Sequence, residues 1–254
     1  MKLKIPIALL YALATLLFYV RVSHAQEAPA EGAEAGKILA QDLITRVPVE
    51  NSKWSGTMKI FRKDLPMLIV PVTCETQVMT DHWSVVYQTP GIGDIPSEKL
   101  TVSFSKGTAP TYFFQKGIAP GGELGEEKRM AGSEANIAFA GSDFWCSDLA
   151  FEFFHWPNQN RHKGEMRRGR PCYVMESTND HKTADGYSRI KTWIEKESGA
   201  PMEAEAYGAD NKLTKDFELG SVSKINGRYQ VKNLKMYDRR KGSHTILEFD
   251  LDGK

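Results

Sequence analysis

From Trp54 to the C-terminus the chain is cut into short segments rich in Val, Ile, Thr and aromatic residues, each closed by turn residues, and this cadence constrains the fold most. Such segments predict β-strands: 54–61, 67–79, 82–88, 99–105, 111–116, 170–177, 187–196, 201–208, 213–223, 228–237 and 243–251. Alternation is plainest in Met202-Glu203-Ala204-Glu205-Ala206-Tyr207, where the carboxylates share one face and the apolar side chains the other. One face is therefore wet and the other covered. Asn226-Gly227 tolerates the positive φ of a two-residue type I′ turn, so Ser221–Ile225 should pair with Arg228–Leu234. Pro66 and Pro71 mark an edge or a bulge, because proline cannot donate to a ladder.

Three segments depart from the strand pattern. In Gly36–Val47, Leu39, Ala40, Leu43, Ile44 and Val47 recur at helical spacing until Pro48 stops the run. Gly117–Gly141, rich in glycine and carrying Glu126-Glu127-Lys128-Arg129, is too long for a hairpin turn and reads as a mobile excursion or lid. Ser142–Trp156 is apolar on nearly every side, and Ser147-Asp148 at its start with Pro157 at its end favours a buried helix. The expected class is α+β, mainly β: a strongly curved antiparallel sheet forming an incomplete, half-open β-barrel with helices covering its concave side.

The N-terminus reads as an address. Lys2 and Lys4 precede an apolar run from Ile5 to Val20, and Ser23-His24-Ala25 places small residues where a signal peptidase reads, so cleavage is expected after Ala25. A signal anchor is the rival reading, although the run is shorter than the roughly 20 residues of a spanning helix. No cysteine follows at the position a lipoprotein signal needs, so the chain should be soluble in the periplasm. Gln26–Gly36 reads as a flexible linker, leaving 37–254 as a single domain. Without Lys2, Lys4 and Arg21 the chain carries 30 basic and 32 acidic side chains, which excludes the global charge of a nucleic-acid binder.

Motif inspection removes most reaction chemistry. GAEAGK (32–37) is one residue short of a phosphate loop and lacks its Ser or Thr, and SFSK (103–106) and SVSK (221–224) fall on expected strands without companion motifs. No G-x-S-x-G or H-E-x-x-H occurs. Cys74, Cys146 and Cys172 allow at most one disulfide and match no zinc spacing, and buried thiols are an equal alternative. Glu203 with Glu205 fits a solvated strand face better than an acid/base pair, and Glu152, His155 and His162 fit loop polar residues better than a metal site. Nothing in the pattern asks for a metal, a cofactor or a catalytic residue. Arg161, Lys163, Arg167, Arg168 and Arg170 form one basic stretch that could dock a lipid headgroup or an acidic partner, or else shield a sheet edge.

Several blocks carry a family resemblance: Ser142-Asp143-Phe144, Ser147-Asp148-Leu149, Gly169 to Ser177 (GRPCYVMES), Tyr187-Ser188-Arg189-Ile190 through Trp193-Ile194, and Ala204-Glu205-Ala206-Tyr207. Over roughly 140–251 the chain resembles the divergent branch of the LolA-like outer-membrane lipoprotein-sorting proteins. The resemblance implies a half-barrel of the LolA/LolB kind, closed by helices over an apolar cavity that shelters acyl chains between the two membranes, without catalysis. Exposing an acyl chain of about fifteen carbons to water costs on the order of 12 kcal/mol, so a lipid ferry needs such shelter. The aromatics expected to line the cavity are Trp54, Phe61, Trp83, Tyr87, Phe104, Phe113, Phe151 and Phe154. The expected partners are lipid or lipoprotein acyl chains, with membrane-associated envelope proteins alongside. The family's classical carriers hold the lid shut with an arginine early in the mature chain; Arg46 or Arg62 could stand in for it, but no motif chooses between them and the role stays unassigned. The alternative function is an envelope interaction or sensor protein using the same half-barrel as a protein-binding scaffold.

Overall fold

The computed structural model describes residues 31–180, 186–225 and 228–250. One helix, α1 (Ala33–Ile44), precedes six strands: β1 (Ser52–Phe61), β2 (Leu68–Val78), β3 (His82–Thr89), β4 (Glu98–Ser105), β5 (Thr111–Lys116) and β6 (Lys128–Met130). After three 3₁₀ turns come β7 (Asn158–Arg167), β8 (Arg170–Thr178), β9 (Arg189–Glu195), β10 (Pro201–Tyr207) and β11 (Leu213–Leu219). A separate two-stranded hairpin, β12 (Val222–Ile225) and β13 (Arg228–Val231), leads to β14 (Asn233–Asp238) and β15 (Ser243–Phe249). The other thirteen strands form one curved, unclosed antiparallel sheet in the order β6-β5-β4-β3-β2-β1-β15-β14-β11-β10-β9-β8-β7.

This order explains how the sheet is covered. β1 pairs with β15 at the middle, so the chain builds outward to one edge, β6, and resumes at the opposite edge, β7. At about 4.8 Å per strand a flat sheet of this width would separate its edges by nearly 60 Å. Curvature brings them closer, and the connecting residues 131–157 cross the concave side. Their apolar side chains form one core with the inward positions of the strands: Phe139, Phe144, Cys146 and Leu149 are 0% exposed, as are Met58, Leu100, Val102 and Tyr112. At the central seam Gly56 faces Phe249, and a Cβ there would stand 2.3 Å from the Glu248 carbonyl, so only glycine allows that approach.

Pro71 obeys the edge expectation. β2 pairs with β1 along Leu68–Thr76, whereas its pairing with β3 begins at Thr73, so the proline lies where β2 has no second neighbour.

Other expectations need correction. Ser142–Trp156 is not a helix: 3₁₀ turns at Asp148–Ala150 and Glu152–His155 are separated by Phe151 at φ 49°, a left-handed residue that an α-helix cannot continue through. Among the described residues, the covering of the concave side is thus one α-helix and an irregular crossing strap rather than a set of helices. The Gly117–Gly141 excursion contributes β6 and a 3₁₀ turn (Gly132–Ala135), and its end is locked in: Phe139 and Ala140 are 0% exposed, and the Ala140 N–H donates to the buried Glu98 carboxylate at 2.7 Å. The helix starts at Ala33, inside the expected linker, and ends at Ile44. Gly36 is buried against β7, where a Cβ would meet the Gln159 and Asn160 backbone at 2.6 Å.

Strands expected at 213–223 and 228–237 are each divided in two, at Gly220-Ser221 and at Lys232. β7 is absent from the strands that the sequence pattern predicts. Its only buried residue is Gln159, so it lacks an apolar alternation, which an edge strand can do without. The signal segment 1–25, the first linker residues 26–30 and the Asn226-Gly227 turn lie outside the described residues, although β12 and β13 pair in the expected register from Val222↔Val231 to Ile225↔Arg228.

Candidate functional site

Strand alternation sorts the eight expected cavity aromatics. Trp83 and Tyr87 point inward from β3 and are 6% and 1% exposed, and Phe104 on β4 stacks on Trp83 with ring centroids 3.8 Å apart. The Tyr87 hydroxyl donates to the Leu149 carbonyl of the strap at 3.2 Å. Trp54 is partly buried against the same core, with no described acceptor for its indole N–H. Phe151 and Phe154 come from the strap, with Phe151 edge-on to Phe217 of β11. These six share the inner side.

Phe61 and Phe113 do not. Phe61 has opposite parity to Met58 and Ile60 and stacks on His244, itself beside Tyr237, on the outer face. Phe113 alternates with the inward Tyr112 and Phe114. A period of two leaves them no other direction.

The expected docking stretch is also divided. Arg167 and Arg168 sit on the outer face of the second half, tied into a carboxylate lattice: Arg167 Nη2 is 3.0 Å from Glu165 and its Nε 2.9 Å from Glu203, and Arg168 Nη2 is 3.1 Å from Glu218. Arg168 also donates to the Leu219 and Gly220 carbonyls. Arg167 and Lys191 cover Trp193, whose indole N–H donates to Glu165. Arg161 stacks on Tyr173 at 4.9 Å, while Lys163 and Arg170 are exposed. Glu203 is a member of this lattice, and Glu205 accepts from the Tyr207 hydroxyl at 2.6 Å. Arg46 pairs with Asp42 and donates to the Ser198 carbonyl, and Arg62 donates to the Gly141 carbonyl of the strap at 2.8 Å.

Between strap and sheet, the hollow bounded by Phe151, Phe217, Ala204, Ala206 and Met236 measures only about 20 Å³. A far larger cleft, about 510 Å³, opens at the rim of the concave side, between the 131–136 turn, the strap end at Glu152–Pro157 and the strand ends at Asn179 and Ile190. Phe153, Trp156, Tyr187 and Ile190 supply its apolar walls, and Asp148, Glu152 and His155 its titratable groups.

A buried cation stands behind this cleft. Lys215 shares its face of β11 with Phe217 and Leu219, two and four positions on, and so points inward. Its Nζ donates to the Asp143 carbonyl at 2.6 Å and to Asp148 Oδ2 at 3.2 Å, and lies 3.8 Å from the centroid of Trp145. Burial pushes the lysine down, and the Asp148 carboxylate opposes that shift. Asp148 Oδ2 also accepts from the Trp145 backbone N–H and the Tyr187 hydroxyl, while the Asp143 carboxylate accepts from the Ser243 and Thr245 hydroxyls of β15. Glu152 accepts from the Tyr112 hydroxyl at 2.7 Å, and burial raises it above the usual carboxylate range. Burial alone holds His155 down to about 4, so its imidazole is neutral at pH 7. Among the described residues, no three His, Cys, Asp or Glu side chains are gathered to hold a metal. The lysine was legible in principle, as a charge on an otherwise apolar alternation, but the sequence gives no sign of its partners.

Solved structures of low identity share this architecture. A DUF1329 family protein from Desulfovibrio piger matches with TM-score 0.69 at 19% identity, covering 86% of this chain and 91% of that one. A domain from Vibrio parahaemolyticus classed as an outer-membrane lipoprotein-sorting protein matches with TM-score 0.66 at 18% identity over 85% and 91% of the two chains. A LolA superfamily protein from Nitrosomonas europaea gives TM-score 0.58 at 13% identity over 86% and 91%. Curated protein sequences give no match. The molecule is therefore a half-barrel protein with the LolA-like fold. By sequence, a family model described as "Uncharacterized protein" matches residues 122–251, just over half of the chain, and the chain belongs to that family.

Proposed function

We propose that this is a periplasmic, non-catalytic protein that binds the acyl chain of a lipid or lipoprotein; a Vibrio parahaemolyticus domain of the same fold is classed as an outer-membrane lipoprotein-sorting protein. The observation that carries the reading is the rim cleft of about 510 Å³ with Phe153, Trp156 and Ile190 in its walls, within the roughly 300–1,000 Å³ of small-molecule sites. The strap beside it holds only 3₁₀ turns, so its shift need not break an α-helix.

The test is binding of a fluorescent fatty acid to the purified protein, with Ser133→Trp, which places a large ring at the exposed cleft mouth. We expect saturable binding by the wild type and at least a tenfold loss in the variant at unchanged thermal stability. Absence of saturable binding overturns the proposal. The nearly filled hollow behind the strap favours a second reading, an envelope scaffold that binds proteins through its surfaces. Partner capture that survives Ser133→Trp, with no lipid bound by either form, is its expected signature.

A further inference from the structure

Among the described residues, the rim cleft has more carboxylates than cations. Of its carboxylates, Asp148 is matched by Lys215 at 3.2 Å, whereas Glu152 faces no cation among the described residues. One Glu152 oxygen accepts from Tyr112, and the other has no described donor. His155, neutral at pH 7, offers no counter-charge. A carboxylate partly withdrawn from water without a cation carries a desolvation penalty that an arriving ammonium group would relieve. Aromatic rings flank that position: Phe153, Trp156 and Tyr187 line the same cleft, and ring faces attract alkylammonium groups. A carboxylate headgroup would meet repulsion from Glu152, and a hydroxyl would leave its charge unmatched.

Building on the acyl-binding reading above, we propose that the rim cleft selects amphiphiles carrying a primary ammonium group, Glu152 receiving the ammonium while Phe153, Trp156 and Ile190 receive apolar atoms of the same molecule. The shared chemistry is an alkylammonium, whether it belongs to a simple long-chain amine or to an aminophospholipid headgroup.

The experiment compares dodecylamine, dodecanol and dodecanoate below their micelle or solubility limits, by calorimetry at pH 7 on the wild type and on Glu152→Gln, which keeps an acceptor for Tyr112. We expect the wild type to bind the amine at least about tenfold more tightly than the alcohol, with the dodecanoate weakest, and Glu152→Gln to abolish that preference. Lysophosphatidylethanolamine distinguishes the sources: tighter binding than dodecylamine assigns the site to a lipid headgroup, and weaker binding assigns it to a simple amine. Equal binding of amine and alcohol by the wild type overturns the ammonium inference and leaves acyl binding standing. Failure of all probes to bind overturns both. Because the wild-type series alone shows the preference, the outcome does not depend on the variant folding.

Discussion

Lys215 and Asp148 meet at 3.2 Å with their side chains only 2% and 9% exposed, joining the inner face of β11 to the strap that crosses it. Removing one partner from such a pair strands a charge out of water, which costs about 3–5 kcal/mol. Lys215→Ala is therefore expected to lower unfolding stability by that amount in urea titration, and Asp148→Asn by a similar amount. The double variant should lose less than the sum, because the two changes remove one interaction. Full additivity would show that the pair does not anchor the strap.

Acid stability should depend on His155. Its folded value of about 4 lies below the 6.5 of an ordinary imidazole, so between these limits the unfolded chain binds the extra proton. Stability due to the neutral ring is thus present above pH 6.5 and lost as pH falls towards 4. Relative to His155→Phe, the wild type should lose on the order of 2–3 kcal/mol across this window. Parallel stability curves for the two proteins would contradict the assignment.

Tyr87 and Phe113 test the facing of the first half-sheet. Tyr87 is 1% exposed and touches the strap through its hydroxyl. Tyr87→Ala should cost about 3–5 kcal/mol, as a large-to-small change in a packed core does. Phe113→Ala, on the other face, should cost under about 1 kcal/mol. A reversed order in thermal unfolding would mean that the strand faces the other way.

Gly36→Val should loosen α1 from β7, because the new Cβ would meet the Gln159 and Asn160 backbone at 2.6 Å. Hydrogen exchange in Ala33–Ile44 is expected to rise well before the sheet loses protection, since the helix packs chiefly on β7 and the last strap turn. Unchanged protection would rule out close packing at this glycine.

The three cysteines are free and buried, and burial raises all three thiols, which suppresses the reactive thiolate. Iodoacetamide should leave the native protein unmodified over the time in which it alkylates three sites in urea. An intact mass showing only one alkylation after unfolding would reveal a disulfide instead.

Much of the β architecture was legible because strand alternation is local. Glu203 and Glu205 against Ala204 and Ala206 declare which face is wet whatever the neighbours are. The same rule, applied to Met58, Ile60 and Phe61, would have turned Phe61 outward. β7 escaped because an edge strand can be polar throughout, and the strap escaped because a run apolar on every side has no periodicity to reveal its conformation.

The amino-acid order alone determined the strand cadence, the amphipathic α1 and the curved antiparallel class, since each depends on neighbours a few residues away. Only the tertiary structure decided that β1 meets β15, that the sheet edges are bridged by residues 131–157, and that Lys215 finds Asp148 from 67 positions along the chain. Those contacts depend on curvature accumulated over thirteen strands, and no local pattern encodes where a bent sheet brings distant side chains together.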